Sequence, residues 1–178
     1  DMLKRGITLN PNVPEFYTNI AYALSRMHKH EESIPYYKKA IEIKPDHYKS
    51  LFDLGLVYLR LGDFAQGWKL HEYRNYRPAP ENFSDRYLQG KLPRWDGNPE
   101  SLRGKKVFVS KEQGFGDGMQ FFRYVEPLSK IASHVTFSCE PYLKKLFEAS
   151  NIWDNVTITD DFENVEPHDV WLYQMSLP

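Results

Sequence analysis

The sequence is poor in cysteine, in long apolar runs and in excess charge of either sign. Its single cysteine, Cys139, cannot form an internal disulfide, which fits a reducing compartment. No apolar run approaches the roughly 18 residues that span a bilayer, and no charged and then apolar leader opens the chain. Lys and Arg number 23 against 24 Asp and Glu, so the formal net charge of -1 lacks the basic excess typical of nucleic-acid binders. We therefore expect a cytoplasmic protein with no membrane span and no nucleic-acid partner.

The sequence also lacks the spacings that metal sites and hydrolases use. Its six histidines are scattered, with no cysteine or carboxylate at ligand spacing, so no metal and no bound cofactor are predicted. No Ser, His and Asp arrangement suggests a hydrolase. Cys139 falls in an apolar run and is predicted to be a small buried residue and not a nucleophile.

What the chain does have is an internal repeat with an offset of 34 residues. Laid over the segment 48–81, residues 14–47 pair apolar with apolar and small with small. The pairs are Tyr17 with Leu51, Ile20 with Leu54, Ala21 with Gly55, Leu24 with Tyr58, and Ser33 with Gly67. The spacing predicts two helices in the first copy, residues 14–27 and 31–43, the second ended by Pro45. The similarity stops near residue 77, where the repeats are predicted to end.

A 34-residue period, with small residues where two helices touch and a proline closing the second helix, resembles the tetratricopeptide repeat (TPR). Two units are present, and residues 1–10 read as the last turns of a further helix whose partner is missing. Repeat stacks need neighbours to bury their faces, so we expect the native protein to begin upstream of this chain. The resemblance described below for residues 105–178 implies that it also continues past residue 178.

The TPR resemblance implies a concave groove, lined by the first helix of each unit, that holds a peptide. The positions facing it would be Glu15, Thr18, Asn19, Tyr22, Arg26, Lys49, Phe52, Asp53 and Arg60. We predict peptide binding by the seven from Asn19 onward. Asn19 resembles the groove asparagine in the repeats of O-linked N-acetylglucosamine transferases, where amides hold an extended peptide backbone, and Asp53 departs from it. The alternative interpretation is that these side chains form solvated helix faces.

Residues 78–104 form an aromatic and basic junction. Tyr87 and Trp95 stand among Arg86 and Arg94, and several prolines break regular structure. So many aromatic residues would be costly to leave in water, and we expect them to pack against both neighbouring regions. The alternative is a subsite for a phosphate or a sugar.

From residue 105 to 178 short β-branched and aromatic runs alternate with helical spacing. The runs predicted as strands are residues 107–109, 135–139, 156–158 and 170–173, and those predicted as helices are 119–131 and 142–149. Such alternation is typical of parallel βαβ units. The predicted fold class is therefore α + α/β, with TPR helices followed by a partial Rossmann-like parallel sheet lobe.

A glycine-rich loop follows the first predicted strand, where sheets of this kind bind ligands. Gly114, Gly116 and Gly118 would let the backbone approach a ligand, and the next helix would offer its amide hydrogens to an anion. Asp117 could cap that helix or act as a base. Dinucleotide binding is an alternative, with Glu140 where a ribose-binding acid would fall, although Met119 stands where that fingerprint requires a small residue.

A more specific resemblance begins at the end of the repeats and runs through this loop. The residues concerned are Trp68, Tyr73 and Arg74, then Leu92 to Gly97, then Glu112 to Asp117 with Gln120, Phe121, Arg123 and Tyr124. In this order they resemble bacterial proteins that join TPR units to a heptosyltransferase-like glycosyltransferase domain. The resemblance implies a two-lobed GT-B fold whose acceptor-side lobe begins at Lys105, with Asp117 helping to activate the acceptor hydroxyl. Gly118 departs from the threonine expected after that aspartate.

The predicted sheet provides only one of the two lobes that such a transfer site needs. We therefore expect no transferase activity from this chain alone, and a nucleotide sugar only as a ligand of the full-length parent. The competing interpretation is a non-catalytic TPR interaction module, in which the α/β part caps the helical stack and the groove binds a protein or peptide.

Overall fold

The computed structural model describes residues 2–76, 92–150, 153–161 and 167–177. The chain divides into two compact units, Asp1–Ala79 and Pro80–Pro178. They are called the helical unit and the sheet unit below.

The described part of the helical unit consists of helices that follow one another closely. They are α1 (Met2–Leu9), α2 (Pro14–Arg26), α3 (His30–Ile43), α4 (Tyr48–Arg60) and α5 (Phe64–His71), and a 3-10 turn at Glu72–Tyr76 continues α5. Pro14 occupies the first turn of α2, where its missing N–H is not needed. Asp63 caps α5, because its Oδ1 accepts the Gln66 N–H at 3.2 Å. The bounds of α2 and α3 lie within one residue of the predicted ones.

The helices of each pair approach closely through small residues. Ala21, Leu54 and Val57 are buried in the core of this unit. A Cβ placed on Gly67 would lie 2.6 Å from Leu59 Cδ2, and one on Gly55 would lie 2.9 Å from the His71 backbone N. Both contacts are too short for any side chain, so the glycines at these repeat positions are required by helix packing.

The described sheet unit is a four-stranded parallel sheet with helices between its strands. The strands are β1 (Lys106–Ser110), β2 (His134–Ser138), β3 (Val156–Thr159) and β4 (Val170–Tyr173), in the spatial order β3-β2-β1-β4. The helices are α6 (Phe115–Phe122), α7 (Val125–Ser129) and α8 (Pro141–Ser150). In the register, Val107 lies opposite Val135 on one side and Val170 on the other. The predicted α + α/β class, with helical repeats followed by a parallel sheet, is confirmed.

Alternate residues of the central strand pack into two different clusters. Val107 and Val109 belong to the larger core, in which the Phe122 and Phe147 rings stack with centroids 4.3 Å apart. Phe108 packs with Trp171 and Tyr173 in a second cluster. Because both faces of β1 are buried, the strand reads as a continuous apolar run.

The predicted single helix over residues 119–131 is wrong in its bounds. Helix α6 begins at Phe115, so Gly116 and Gly118 lie inside it, and it ends at Phe122 before α7 starts. Pro127 explains the break, because a proline has no N–H for the carbonyl of Arg123 and its ring clashes with that carbonyl.

The described half of the predicted junction packs along the outer edge of β4. Arg94 forms a parallel bridge with Trp171, whose N–H donates to the Pro93 carbonyl at 3.0 Å. The Trp95 N–H in turn donates to the Trp171 carbonyl at 2.8 Å. The Arg94 guanidinium lies 5.8 Å from the Trp171 ring and 5.4 Å from the Tyr173 ring, so its charge contacts the aromatic cluster of the sheet unit. The earlier junction residues, including Arg86 and Tyr87, lie outside the described residues.

Candidate functional site

The helical unit contains a cavity of about 700 Å³. Its lining comes from α2, α3, α4 and the turn between α2 and α3, as Tyr22, Ser25, Arg26, His28, His30, Tyr37, Asp53, Leu56 and Arg60. Small-molecule and cofactor pockets are typically about 300–1,000 Å³. Four of the seven residues predicted to bind a peptide line it, namely Tyr22, Arg26, Asp53 and Arg60.

Helical spacing brings these four side chains together. Tyr22 and Arg26 are four residues apart on α2, and Asp53 and Arg60 are seven apart on α4, so each pair shares one helix face. The two helices occupy equivalent places in successive repeat units. Equivalent helices of two successive repeat units thus contribute one face each to the cavity.

Lys49 lies beside the cavity and joins two of its residues. Its Nζ is 3.4 Å from Asp53 Oδ2 and 5.3 Å from the centroid of the Tyr22 ring. The Asp53 residue is only 9% exposed, and its Oδ2 has no hydrogen-bond partner despite the ion pair with Lys49. A buried carboxylate oxygen without a hydrogen bond is destabilising, and a ligand N–H that reaches it would remove that cost.

The other predicted groove residues lie elsewhere. The Phe52 ring contacts the His71 ring, with centroids 5.4 Å apart, and Asn19 is exposed on α2 outside the cavity lining. Thr18 is buried, and its hydroxyl contacts Ser50 Oγ at 2.6 Å. The expectation that Thr18 faces the groove is therefore wrong, because its hydroxyl is used between α2 and α4.

Five lining residues are absent from the predicted set. Tyr37 is predicted only as a core residue of α3, and it is indeed buried. Burial and the neighbouring Asp53 carboxylate raise the pKa of Tyr37, and the Arg60 charge opposes the rise, so the phenol stays neutral. His28 adopts a left-handed backbone conformation, with φ 61°, in the turn before α3. The groove residues are predicted from the first helix of each repeat unit. His28 lies in a turn and Tyr37 in a second helix, so that pattern could not include them.

The second candidate site lies at the carboxyl edge of the sheet. β2 and β3 lie on one side of β1, whereas β4 lies on the other, so the strand order reverses between β1 and β4. Ligands of open parallel sheets bind at such a reversal, beyond the carboxyl ends of the strands. The segment from Lys111 to Gly114 follows β1 there, and the turn Gln174–Ser176 follows β4.

Asp117 lies in the first turn of α6, where it contacts the residue that precedes the helix. Its Oδ2 accepts the Gly114 N–H at 3.1 Å, and Gln113 beside it has a φ of 63°. The carboxylate thus stabilises the helix N-terminus, and an incoming phosphate at the same amides would meet a like charge. Asp117 is half-buried and remains accessible to a hydroxyl group. This arrangement suits a cap or a base better than a phosphate cradle.

Hydrogen bonds join the segment that follows β1 to the turn that follows β4. The Gln174 Nε2 donates to the Glu112 carbonyl, and the Met175 N–H donates to Glu112 Oε1 at 2.9 Å. Gln174 is 1% exposed, and its Oε1 has no hydrogen-bond partner. A Cβ added to Gly118 would lie 3.9 Å from that oxygen. Gly118 therefore faces the interior of the unit, whereas Gly116 faces open space.

The neighbouring strand ends carry ion pairs. Lys111 Nζ lies 2.7 Å from Glu140 Oε1, so the carboxylate considered for a ribose already has a cationic partner. Cys139 is buried, and burial raises the pKa of its thiol to about 11, which leaves very little reactive thiolate. Among the described residues no cluster of three or more His, Cys, Asp or Glu side chains could hold a metal ion. None of the described helices combines the length and apolar character needed to cross a membrane.

Comparison with known proteins identifies the repeats. Residues 14–47 match the tetratricopeptide repeat, and residues 36–69 match a second profile of the same repeat. The predicted TPR repeats are confirmed.

Two longer proteins are also similar to this chain. It is 28% identical over 149 residues to Protein FlbA of Caulobacter vibrioides (strain ATCC 19089 / CIP 103742 / CB 15). The aligned segment covers 80% of this chain and 24% of FlbA. Among solved structures, a mutant O-GlcNAc transferase from Thermobaculum terrenum is similar with a TM-score of 0.38 and 17% identity, over 92% of this chain and 31% of that one. The chain thus spans less than a third of either protein.

Proposed function

We propose that the TPR repeats bind a protein partner through an extended peptide segment held in the cavity of the helical unit. The observation that carries this proposal is the convergence of Tyr22, Arg26, Asp53 and Arg60 on one cavity of about 700 Å³. An aromatic ring, charged groups of both signs and an unsatisfied buried acceptor together suit a polar peptide. Asn19, on the exposed face of α2, would extend the contact along the backbone of that peptide.

Selection from a displayed random peptide library followed by affinity measurement tests this proposal. Tyr22→Ala should weaken a selected peptide about tenfold, because the ring provides apolar contact area with few rotatable bonds. Tyr142→Ala is the matched control, since Tyr142 is 87% exposed in the sheet unit. Equal affinities for wild type and Tyr22→Ala would contradict the groove as the binding site.

For the sheet unit we propose the acceptor-side half of a sugar-transfer site, used in a full-length parent that supplies the nucleotide-sugar lobe. The support is the position of Asp117, which stands in the first turn of α6, just after the segment that follows β1 at the strand-order reversal. A half-buried carboxylate there could accept the proton of an acceptor hydroxyl, with the exposed Gly114 and Gly116 leaving room for the approach. Sugar transfer also requires stabilisation of the departing diphosphate, which falls to the other lobe.

Two substitutions of Asp117 separate a base from a helix cap. Asp117→Asn keeps an oxygen acceptor for the Gly114 N–H but cannot take a proton, so transfer by the full-length protein should fall by about 100-fold or more with little change in melting temperature. Asp117→Ala removes both functions and should also lower the helix stability by about 1 kcal/mol. If Asp117→Asn transfers sugar at the wild-type rate, Asp117 is only a cap.

The alternative proposal is a non-catalytic TPR interaction module. It predicts that the full-length protein neither binds nor hydrolyses any nucleotide sugar in a titration of a donor panel, although the repeats still bind their peptide. Binding of one donor would exclude this alternative.

We also propose that the protein is located in the cytoplasm. Fractionation of the native cell would test this location.

A further inference from the structure

We infer that the cavity of the helical unit selects an extended peptide through its acidic side chains, with Arg26 and Arg60 as the anion-binding groups. The inference rests on the proposed peptide-binding function and adds the class of peptide. It starts from the charges that line the cavity.

The cavity carries an unbalanced positive charge. No carboxylate of the described residues lies within the 4.0 Å ion-pair distance of the Arg26 or Arg60 guanidinium, whereas Lys49 and Asp53 offset one another. Arg26 and Arg60 thus line the same cavity without an ion-pair partner among the described residues. Guanidinium groups bind carboxylates through paired hydrogen bonds, so an acidic side chain is the ligand group that fits them.

Asp53 places a second requirement on the ligand. Its Oδ2 is buried without a hydrogen bond, and a carboxylate accepts but does not donate. The ligand must therefore bring a donor to this point as well as anions to the two arginines. A peptide backbone meets both needs, because its amide N–H can reach Asp53 while neighbouring side chains extend outward.

A free lysine or arginine side chain fits this cavity less well. Lys49 already places an ammonium group 3.4 Å from Asp53 Oδ2 and over the Tyr22 ring. A further cation in the cavity would add to the like charges of Lys49, Arg26 and Arg60, which repel it. Charge complementarity thus favours an acidic segment over a basic one.

The experiment uses the whole chain and a matched set of labelled peptides of about twelve residues. The peptides share one sequence in which alternate positions are Glu, Gln or Lys, and both ends are blocked to remove terminal charges. A fourth peptide keeps Gln and has a free C-terminal carboxylate. Fluorescence anisotropy should show the Glu peptide binding at least about tenfold tighter than the Gln peptide, with weaker binding as salt rises.

Neutral substitutions then assign the selectivity to the two arginines. Arg26→Gln and Arg60→Gln should each weaken the Glu peptide about three- to tenfold and leave the Gln peptide unchanged. Lys38→Gln is the matched control, because it removes an exposed charge from α3 outside the cavity lining. Methylation of one backbone N in the Glu peptide should weaken binding to the wild type but not to Asp53→Ala.

The outcomes separate this inference from the proposed function. If the Gln and Glu peptides bind equally and neither arginine substitution matters, the groove still binds peptide but the acidic selectivity is wrong. Preference for the Lys peptide, or for the free C-terminal carboxylate alone, would also overturn it. If none of the four peptides binds and library selection yields no ligand, the proposed peptide-binding function fails as well.

Discussion

Glycines have opposite roles in the two units. In the helical unit Gly55 and Gly67 are enclosed, because a Cβ at either would come within 3 Å of a neighbouring backbone atom. In the sheet unit a Cβ at Gly116 would have no atom within 4 Å, and one at Gly114 would meet only the Asp117 side chain at 3.8 Å. Packing therefore explains Gly55 and Gly67 but does not explain Gly114 and Gly116. Residue type alone does not distinguish a packing requirement from space left for a ligand.

The largest expected effect follows from this contrast. Gly67→Ala should destabilise the helical unit by about 3 kcal/mol, since the new methyl group would lie 2.6 Å from Leu59 Cδ2 and 2.9 Å from its backbone N. Gly116→Ala, its matched control in an open position, should stabilise α6 by about 0.5–1 kcal/mol. Hydrogen exchange of peptides from each unit measures both changes. Equal stability of Gly67→Ala and the wild type would remove the contrast.

Lowering the pH should increase the difference in stability between the two units, because it destabilises the helical unit through His71 at the end of α5. Burial, with the Arg74 charge adding to it, lowers the pKa of His71 from 6.5 to about 4. The folded pKa lies below the unfolded one, so the stability held by neutral His71 is complete above pH 6.5 and is lost as pH falls toward 4. At pH 5 the helical unit should have lost on the order of 2 kcal/mol.

The control for this pH effect is a variant that does not titrate at that position. His71→Asn should show a flatter pH dependence of the helical unit, although its stability at neutral pH is lower. Some slope should remain, because burial also lowers the pKa of His47. An unchanged slope in His71→Asn would rule out His71 as the source. The measurement is denaturant unfolding between pH 7 and 5, followed by hydrogen exchange in α5 and α6.

The smallest effect concerns Gly118, which is neither enclosed like Gly67 nor open like Gly116. An added Cβ would make ordinary contacts at 3.4 Å to Leu143 Cδ1 and 3.9 Å to Gln174 Oε1. Gly118→Ala should stabilise α6 by up to about 1 kcal/mol. Serine is a poorer helix former than alanine, but its hydroxyl can donate to the unsatisfied Gln174 oxygen. Gly118→Ser should therefore be at least as stable as Gly118→Ala. In a Gln174→Met background the serine advantage should disappear in a double-mutant cycle.

The sequence predicts most of the fold because the buried faces of helices and strands produce a regular spacing of apolar residues. The repeat offset and Pro14 mark α2 to within one residue, and β-branched runs mark every described strand. The prediction fails at residues 115–131, where glycines that lie inside α6 read as a loop. There the tertiary packing of α6 against Leu143 and Phe147 outweighs the low helix propensity of Gly118.

The candidate cavity could be predicted only in part, for a related reason. Tyr22 and Arg26 share a face at helical spacing, and the repeat places Asp53 and Arg60 beside them. Tyr37 and His28 reach the same cavity from α3 and from a turn with positive φ, which depend on how the helices pack. Nor does the sequence show that Thr18 bonds to Ser50 across two helices. Side chains that meet only after packing leave no periodic signal.

The central position of β1 also sets an order of assembly. Val107 pairs with Val170, and the Lys106 N–H donates to Asp169 Oδ2 across 63 residues of chain, whereas each repeat helix packs on its neighbour in sequence. Contacts between distant residues form only after a long loop closes, so local helices fold sooner. During synthesis the repeats can therefore fold before β4, the last strand of the sheet, has been made. The cavity of the helical unit can then form before the carboxyl edge of the sheet exists.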